Sequence, residues 1–386
     1  LGYTPRHLTR VLTAELGAGP VALARAHRAT TARTLLVRTQ MPIGDVAFAA
    51  GFSSIRQFND TLRGMYALTP TELRARHSSR RDTVDDDARL GTVTLRLPLR
   101  PPYDVAWTVF GLRSHAVAGL ETVVDDQLQR TLALPHAPAL ATLTLHDDHA
   151  VARFAHLDLR DLPVAVNRLR RLTDLDADPR AVDYVLSNDP RLAPLVAEAP
   201  GIRIPGSVDP AETLIRAMLG QQVSVAAARR RLSDLVGALG EQVPWAPGPG
   251  EPDRLFPTAA AIAEHGAGVL TGPARHIRAV VGAAEELAAG RMEPNPGSDA
   301  SQLRADLPAL DGIGEWTADQ VVMRVTGDPD VLPRRDLIID RAAASLGVEQ
   351  HQTEAWRPWR SYAAMHLLRR ALQERRQYNH YPEDQS

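Results

Sequence analysis

Two glycines set two residues apart between helical patterns constrain the fold of this chain more than any other feature. They lie in LPALDGIGEWTADQVVMRVT, residues 307–326, where we expect one helix to end at Leu310 and another to begin near Glu315. Glycine adopts backbone conformations that other residues resist and leaves space for a phosphate beside the main chain. The amides of the turn, with the helix N-terminus that follows, would form an anion site. A plain turn between two helices is the alternative, which the spacing alone leaves open.

The helical pattern extends over the carboxy-terminal half of the chain. Strand patterns end before Pro205, and beyond it apolar residues at helical spacing are separated by Gly and Pro breaks. Helices are predicted over 210–219, 225–239, 257–265, 276–289, 301–310, 316–326, 337–346 and 353–375. Residues 201–380 are therefore predicted to form an all-helical domain.

The preceding region, residues 90–200, has a mixed pattern. Polar and apolar residues alternate in three segments, a pattern typical of strands, and two further segments have helical spacing. The predicted strands cover 92–97, 141–145 and 151–157, and the predicted helices cover 103–112 and 162–175. An α+β domain is expected here. Residues 79–89 before it are nearly all polar or charged, which indicates a linker.

Residues 1–78 form a basic head in which all the patterns are helical. Residues 1–81 carry 12 Arg against 4 acidic residues, although the whole chain has a net charge of −2. This asymmetry indicates a surface that faces phosphates. A glycine turn at Gly51 between two short helices predicts a helix-turn-helix. Its small core is predicted to contain Phe48, Phe52, Phe58 and Tyr66. The predicted fold class is multi-domain and mainly α: a helix-turn-helix head, an α+β middle domain and an all-helical domain.

The composition excludes several kinds of chemistry. The chain contains no cysteine, which rules out disulfides, Cys-ligated metals and thiol nucleophiles within it. It also contains no lysine, so no lysine amine is present to form a Schiff base. The 13 histidines show no ligand spacing, and no metal cluster is predicted from them. No apolar run approaches the roughly 18–20 residues of a membrane span, so no membrane partner is expected.

An acidic residue follows the glycine turn at a distance along the chain. In LPRRDLIIDRAAASLG, residues 332–347, Asp336 precedes the apolar start of a predicted helix. It can be a catalytic carboxylate or a simple helix cap, and the sequence allows both. Asp340, one turn further on, is interpreted as structural, paired with Arg341 or Arg335.

Four motifs in order now point to one family. LDGIGEWTA, the downstream Asp336, MLGQQVSVAAA at 218–228 and WRPWRSYAAMHLLRRA at 356–371 resemble the AlkA-type 3-methyladenine DNA glycosylases of the helix-hairpin-helix superfamily. The resemblance covers residues 88–380 and implies a helix-hairpin-helix glycosylase domain behind an AlkA-like α+β domain. It implies monofunctional, cofactor-free hydrolysis that excises flipped-out alkylated purines such as 3-methyladenine and 7-methylguanine from duplex DNA. Family members that cleave the backbone carry a lysine where this chain has Trp316.

The resemblance also implies roles for individual residues. Asp336 matches the catalytic position. Gly312, Ile313 and Gly314 match the phosphate-binding hairpin, and the carbonyls of Gly312 and Gly314 would hold a monovalent cation.

The residues implied to line the base pocket are Trp316, Gln320 and Leu368. Gln320 and Leu368 stand where a well-known member has Tyr and Trp, so a less aromatic pocket and a narrower lesion range are expected. Gln222 matches the wedge that fills the gap left by the flipped base. Its alternative role is to cap the helix that begins at Val225, and Gln221 would then be structural support.

The head resembles a different family. GYTPRHLTRVLTAELGAGP and PIGDVAFAAGFSSIRQFNDTLRGMYALTPTELR resemble the two halves of the AraC-type tandem helix-turn-helix module found in Ada-type alkylation-response regulators. The implied DNA contacts are Arg6, His7, Arg10, Ser54, Arg56 and Gln57. The resemblance further implies that the chain is part of a longer fusion, in which zinc would belong only to an upstream Ada-like segment.

Together the two resemblances imply a bacterial, cytoplasmic, nucleoid-associated and monomeric repair enzyme of the adaptive alkylation response. Its partners would be duplex DNA with alkylated bases and promoter DNA bound by the head. The alternative is a non-catalytic, alkylation-responsive transcription regulator with a glycosylase-like body. The less aromatic pocket favours that alternative, whereas Asp336 and the intact hairpin oppose it.

Overall fold

The computed structural model describes residues 5–16, 18–38, 41–78 and 92–374. The predicted linker at 79–89 lies outside these ranges. The helices of the head are α1 Pro5–Leu16, α2 Pro20–Arg38, α3 Ile43–Ala49, α4 Ile55–Tyr66 and α5 Pro70–Ser78. Among the helices in the described ranges, none combines the length and the apolar character that spanning a bilayer requires.

The core of the head forms around two of the predicted aromatic residues. Phe52 and Phe58 are 3% and 0% exposed, and their rings meet edge to face with centroids 5.4 Å apart. Tyr66 is half-buried. The prediction for Phe48 is wrong, because its side chain is 54% exposed. On α3 the buried positions are Val46, Ala47 and Ala49, so the buried face of this short helix excludes position 48.

The middle region is built on one antiparallel sheet. Its strands are β1 Val93–Pro98, β2 Glu121–Val124, β3 Gln127–Leu132, β4 Ala139–Leu145 and β5 His149–Ala155, and their spatial order is β1-β5-β4-β3-β2. Its helices are α6 Val105–His115, α7 Leu162–Leu172, α8 Pro179–Leu186 and α9 Ala193–Glu198. The three predicted strands are present as β1, β4 and β5. Sequence reasoning missed the β2–β3 hairpin, which turns at Asp125 with a positive φ of 49°.

The carboxy-terminal region is helical as predicted. Its helices are α10 Pro210–Leu219, α11 Val225–Leu239, α12 Ala259–Val269, α13 Ala274–Ala288, α14 Ala300–Asp306, α15 Glu315–Thr326, α16 Leu337–Ser345 and α17 Arg360–Glu374. The long helix predicted over 353–375 is wrong. Its first part is a 3-10 segment, Gln350–Trp356, and Pro358 interrupts the chain before α17 begins. Proline has no amide hydrogen to donate within a helix, which explains the break. Trp356 is 1% exposed and lies in the core.

A buried ion network joins the sheet to the helical domain. Arg130 on β3 is 3% exposed and donates to Glu121 on β2 at 3.0 Å and to Glu212 on α10 at 2.8 Å. Arg216 on α10 pairs with the same two glutamates, at 2.7 and 2.8 Å. Buried charges are tolerated when each has partners of opposite sign, as here. The network therefore fixes α10, and with it the turn that carries Gln221 and Gln222, against the sheet.

Candidate active site

Asp336 and Trp316 are joined by a direct hydrogen bond. The indole Nε1 of Trp316, in the first turn of α15, donates to Oδ2 of Asp336 at 2.8 Å. Oδ1 of Asp336 accepts from the amides of Ile338 and Ile339 at 3.0 and 3.1 Å. The carboxylate is thus the N-cap of α16 and also faces the predicted pocket wall. Capping and a catalytic role, which the sequence left as alternatives, are compatible in this geometry.

The loop that carries Asp336 is anchored to α15 by a fully buried carboxylate. Asp319 is 0% exposed and accepts from the backbone amide of Arg334 at 2.9 Å and from its Nε at 3.2 Å. Arg304 on α14 adds an ion pair, with its Nε 2.9 Å from Oδ1 of Asp319. Arg335, between the anchor and Asp336, has a positive φ of 60°, a conformation that only a well-supported loop imposes on a non-glycine residue. Sequence reasoning missed Asp319 and Arg334 as parts of the site.

The glycine turn has the geometry of an anion site. Gly312 has a φ of +79°, and a Cβ there would lie 2.8 Å from the Cβ of Ala279, so only glycine fits. A Cβ at Gly314 would meet open space. Ile313 is 6% exposed, and its amide donates to Leu310. Within the described residues, the amides of Gly314, Glu315 and Trp316 have no hydrogen-bond acceptor. They lie at the N-terminus of α15, where the first amides of a helix have no partner within the helix.

An acidic side chain beside an anion site needs neutralisation, and the structure supplies it. Glu315 pairs with Arg334 at 3.1 Å and with Arg335 at 3.4 Å. Both arginines come from the Asp336 loop, so the pairs also tie that loop to the turn. The side chain of Arg335 is 84% exposed and adds positive charge to the same surface. A phosphate can therefore approach the turn without facing an uncompensated carboxylate.

Gln221 and Gln222 have different positions after α10. Gln221 donates from Nε2 to the carbonyl of Gly312 at 2.9 Å and to Thr317 Oγ1 at 2.7 Å, so it supports the glycine turn, as expected. That carbonyl is one of the two proposed for a monovalent cation. Gln222 is exposed and has a positive φ of 56°. The alternative that Gln222 caps α11 is wrong, because Ser224 is the N-cap and accepts from Ala227.

The other predicted pocket residues are half-buried. Gln320 lies one turn after Trp316 on α15, and its Oε1 accepts from Arg324 Nε at 3.3 Å. Leu368 on α17 packs against the core of the helical domain. Burial and the nearby Arg216 lower the pKa of Arg324 to about 10, so it remains charged at neutral pH.

Asp340 behaves differently from its prediction. Among the described residues it forms no ion pair with Arg335 or Arg341, and Arg335 pairs with Glu315 instead. Partial burial and the charge of Asp336 raise the pKa of the Asp340 carboxyl. The one-turn spacing on α16 places two carboxylates near each other rather than an acid near a base.

The head exposes the second half of its predicted contact surface. Ser54 caps α4 by accepting from the Gln57 amide at 3.2 Å, and the side chain of Arg56 is 93% exposed. A groove beside α4 is lined by Arg25, Ser54, Arg56, Gln57, Asp60, Thr61, Gly64 and Met65. Arg10 on α1 is exposed. The side chains of Arg6 and His7 lie outside the described residues.

Comparison with known proteins matches both parts of the chain. Residues 94–209 match the model of the AlkA N-terminal domain, and residues 1–76 match that of a helix-turn-helix domain. A relative from Mycobacterium tuberculosis, described as "Probable bifunctional transcriptional activator/DNA repair enzyme AlkA", is 45% identical over 95% of this chain and 74% of its own length.

Two further comparisons concern the glycosylase region. The Escherichia coli protein "DNA-3-methyladenine glycosylase 2" is 31% identical over 69% of this chain and 94% of its own length. The solved structure of a 3-methyladenine DNA-glycosylase from Archaeoglobus fulgidus superposes with a TM-score of 0.60 at 21% identity. It covers 71% of this chain and 96% of that one, which establishes the likeness of fold.

Proposed function

Because this chain belongs to the AlkA family, whose members include bifunctional transcriptional activator and DNA repair enzymes, we propose that it excises alkylated purines with Asp336 as its catalytic carboxylate. The chain is a DNA glycosylase of the 3-methyladenine type fused to a helix-turn-helix of a transcription regulator. The observation that carries the proposal for Asp336 is its hydrogen bond with Trp316, which places a half-buried carboxylate at the edge of a flat aromatic ring.

The reaction needs little proton donation to the base that leaves. A purine methylated at N3 or N7 carries a positive charge, so its glycosidic bond is already weakened. The enzyme must hold the flipped nucleotide and stabilise the positive charge that develops on the sugar at C1′. Asp336 is suited to this because three donors hold its oxygens in fixed directions. A preorganised negative charge stabilises such a transition state without further rearrangement.

Trp316 supplies the flat surface for the charged base. An electron-poor ring is attracted to an indole face, which favours cationic purines over the neutral normal bases. Since Trp316 also occupies the position where a lyase would carry its lysine, and the chain has no lysine, the proposed reaction is simple hydrolysis. Water attacks C1′ and the C1′–N bond breaks, with its electron pair leaving on the base. The base departs as a neutral molecule, the water oxygen remains on C1′ as a hydroxyl, and its second proton is released to solvent.

Other residues are proposed to bind the DNA backbone and to fill the gap that the flipped base leaves in the duplex. The turn Gly312-Ile313-Gly314 would bind a phosphate through the amides of Gly314, Glu315 and Trp316, with a monovalent cation at the carbonyls of Gly312 and Gly314. Gln222, exposed and strained after α10, would enter the gap left by the flipped base. Gln221 would hold the neighbouring Gln222 at a fixed position relative to the glycine turn, through its hydrogen bonds to Gly312 and Thr317.

The head would bind promoter DNA. Ser54, Arg56 and Gln57 on or before α4 and the residues Arg6, His7 and Arg10 on α1 are the proposed contacts. We propose domains at 1–78, 90–200 and 201–380, with a linker at 79–89. The protein would act on nucleoid DNA as a monomer.

Base release by an Asp336→Asn variant tests the catalytic proposal. Wild type should release 3-methyladenine from methylated duplex DNA, and the variant should be slower by about 100- to 1,000-fold, the effect of losing one preorganised electrostatic group. Asp340→Asn is the matched control, because it makes the same change one helical turn away on a carboxylate that accepts no hydrogen bond from Trp316. Equal rates for wild type and Asp336→Asn would refute the role of Asp336. Binding of methylated DNA without any release by wild type would indicate the non-catalytic regulator instead.

A further inference from the structure

Gln320 presents a fixed hydrogen-bond donor in the proposed base pocket. Its Oε1 accepts from Arg324 Nε at 3.3 Å. A guanidinium has donors only, so the amide must turn its oxygen toward Arg324 and its NH₂ group away. Among the described residues, Nε2 of Gln320 has no acceptor. The half-buried side chain therefore holds two amide hydrogens that a ligand could use.

Arg324 is suited to hold this orientation. No carboxylate of the described residues forms an ion pair with it, and its pKa is lowered by burial and by the charge of Arg216. A positively charged donor favours the amide oxygen over the NH₂ group as its partner. Rotation of the Gln320 amide by half a turn would set its NH₂ group against the guanidinium and lose this bond. The side chain is thereby held with its NH₂ group directed away from Arg324.

The position of Gln320 on α15 decides which part of a base it meets. Residues 316, 320 and 324 are spaced four apart and share one face of the helix. Asp336 contacts Trp316 at the start of this face, and its proposed place is beside C1′ of the flipped nucleotide. In the proposed binding mode, the purine lies on Trp316 with its sugar beside Asp336 and its six-membered ring directed along the helix. Gln320, one turn or about 5.4 Å along the axis, then meets the C6 edge of that ring.

We infer that the Gln320–Arg324 pair makes this glycosylase selective for lesions with a carbonyl oxygen at C6, such as 7-methylguanine, over lesions with an amino group there, such as 3-methyladenine. This inference rests on the proposed function of the same pocket. The O6 of a guanine-type base accepts a hydrogen bond, whereas the N6 amino group of adenine donates one. A fixed donor therefore complements the first and opposes the second. Gln320 acts on the base, and Arg324 is a positioning residue that acts through Gln320.

The experiment measures release of both bases from the same methylated duplex DNA in single-turnover reactions. The readout is the ratio of the 7-methylguanine rate to the 3-methyladenine rate. Both lesions carry the same positive charge, so a variant that changes the charge of the pocket affects both, and the ratio isolates the hydrogen-bond pattern. Melting temperature and DNA affinity are measured for each variant to exclude unfolding.

Three variants give distinct expectations. Gln320→Glu keeps the shape but presents an acceptor, because one carboxylate oxygen pairs with Arg324 and the other faces the base. The ratio should fall by about tenfold or more from the wild-type value, the usual effect of one reversed hydrogen bond in base recognition. Gln320→Leu removes both groups and should give an intermediate ratio. Arg324→Leu frees the amide to rotate and should lower the ratio to about that of Gln320→Leu.

Two results would overturn the inference while leaving the proposed function intact. One is release of both bases by Gln320→Glu at a wild-type ratio. The other is a wild-type ratio in Arg324→Leu, which would show that the amide is not held by the guanidinium. Failure of the wild type to release either base would overturn the proposed function, and this inference with it.

Discussion

The indole nitrogen of Trp316 and the Oδ2 atom of Asp336 lie 2.8 Å apart, across 20 positions of sequence. This bond connects the helix that follows the glycine turn to the N-cap of α16. One side chain thus serves two purposes: its ring can form a wall of the base pocket, and its edge orients the carboxylate. The other donors to Asp336 are backbone amides, so Trp316 is the partner that a substitution can remove.

Replacing Trp316 with Phe should separate these two purposes. The ring remains available to stack on a base, but the donor to Oδ2 is lost. A hydrogen bond to a charged group is worth about 1.5–3 kcal/mol, so we expect single-turnover base release to slow by about tenfold or more. DNA affinity should change much less. Trp359→Phe is the control, because Trp359 is half-buried against Tyr362 and is not among the hydrogen-bond donors to Asp336 in the described residues. Wild-type rates in Trp316→Phe would show that the bond does not matter for catalysis.

The anchor of the catalytic loop gives a prediction about stability. Asp319 is fully buried and holds Arg334 and Arg304, so Asp319→Asn leaves two guanidinium groups with reduced compensation. Breaking a buried pair costs about 3–5 kcal/mol, and the partial exposure of both arginines lowers the expectation to about 2 kcal/mol. The loss should appear in the urea midpoint and in slower base release, because the loop also carries Asp336.

Glu315→Gln is the matched control for Asp319→Asn. It removes a carboxylate that pairs with Arg334 at 3.1 Å, but both side chains are 43% exposed. An exposed pair contributes less than about 1 kcal/mol, so the urea midpoint should change little. Equal destabilisation by the two variants would contradict the assignment of Asp319 as the anchor.

The agreement between sequence and structure is best where local signals and burial coincide. Helices α10 and α11 have the predicted bounds, because Asp209 and Ser224 cap them at the points where apolar periodicity begins. Sequence reasoning misses the β2–β3 hairpin because a charged residue, Arg130, lies on β3. Arg130 is buried there because it pairs with Glu212, which is 82 positions away in the sequence. No local pattern shows that such a charge is paired. Phe48 was misplaced for the converse reason, since an aromatic residue predicts burial only on average.

The candidate site shows the same difference between features with a local sequence signal and features that depend on long-range contacts. Asp336, Trp316 and the glycine turn are recognisable because each belongs to a contiguous motif. The contacts among them depend on the packing of α15 against the 332–336 loop, which no spacing rule gives. Asp319 and Arg324 looked like ordinary helix residues. Their contacts, and not their residue type, indicate that Asp319 anchors the loop and that Arg324 orients Gln320.

The strain at Gln222 allows stability and activity to be changed in opposite directions. Its φ of 56° is unfavourable for a residue with a Cβ, whereas glycine adopts positive and negative φ about equally readily. Gln222→Gly should therefore keep or raise the melting temperature, whereas loss of the wedge should lower base release from duplex DNA by about tenfold. Release from single-stranded DNA should fall less, because no stacked partner has to be replaced. Asp125→Gly makes the same backbone change at φ 49° in the β2–β3 turn, and it should leave base release unchanged. A fall in melting temperature for Gln222→Gly would contradict the strain argument.

His366 on α17 gives the fold a defined response to acid. The side chain is 1% exposed, and burial lowers its pKa to about 3, against an ordinary value of about 6.5 in the unfolded chain. Below pH 6.5 the unfolded state therefore binds a proton at His366 that the folded state does not bind. The free energy of unfolding falls as the pH drops from 6.5 toward 3. Between pH 7 and pH 5 this one group should cost about 2 kcal/mol. His366→Leu removes the titration, and the urea midpoint should then fall less steeply over that interval. An unchanged slope in His366→Leu would show that His366 is protonated in the folded protein.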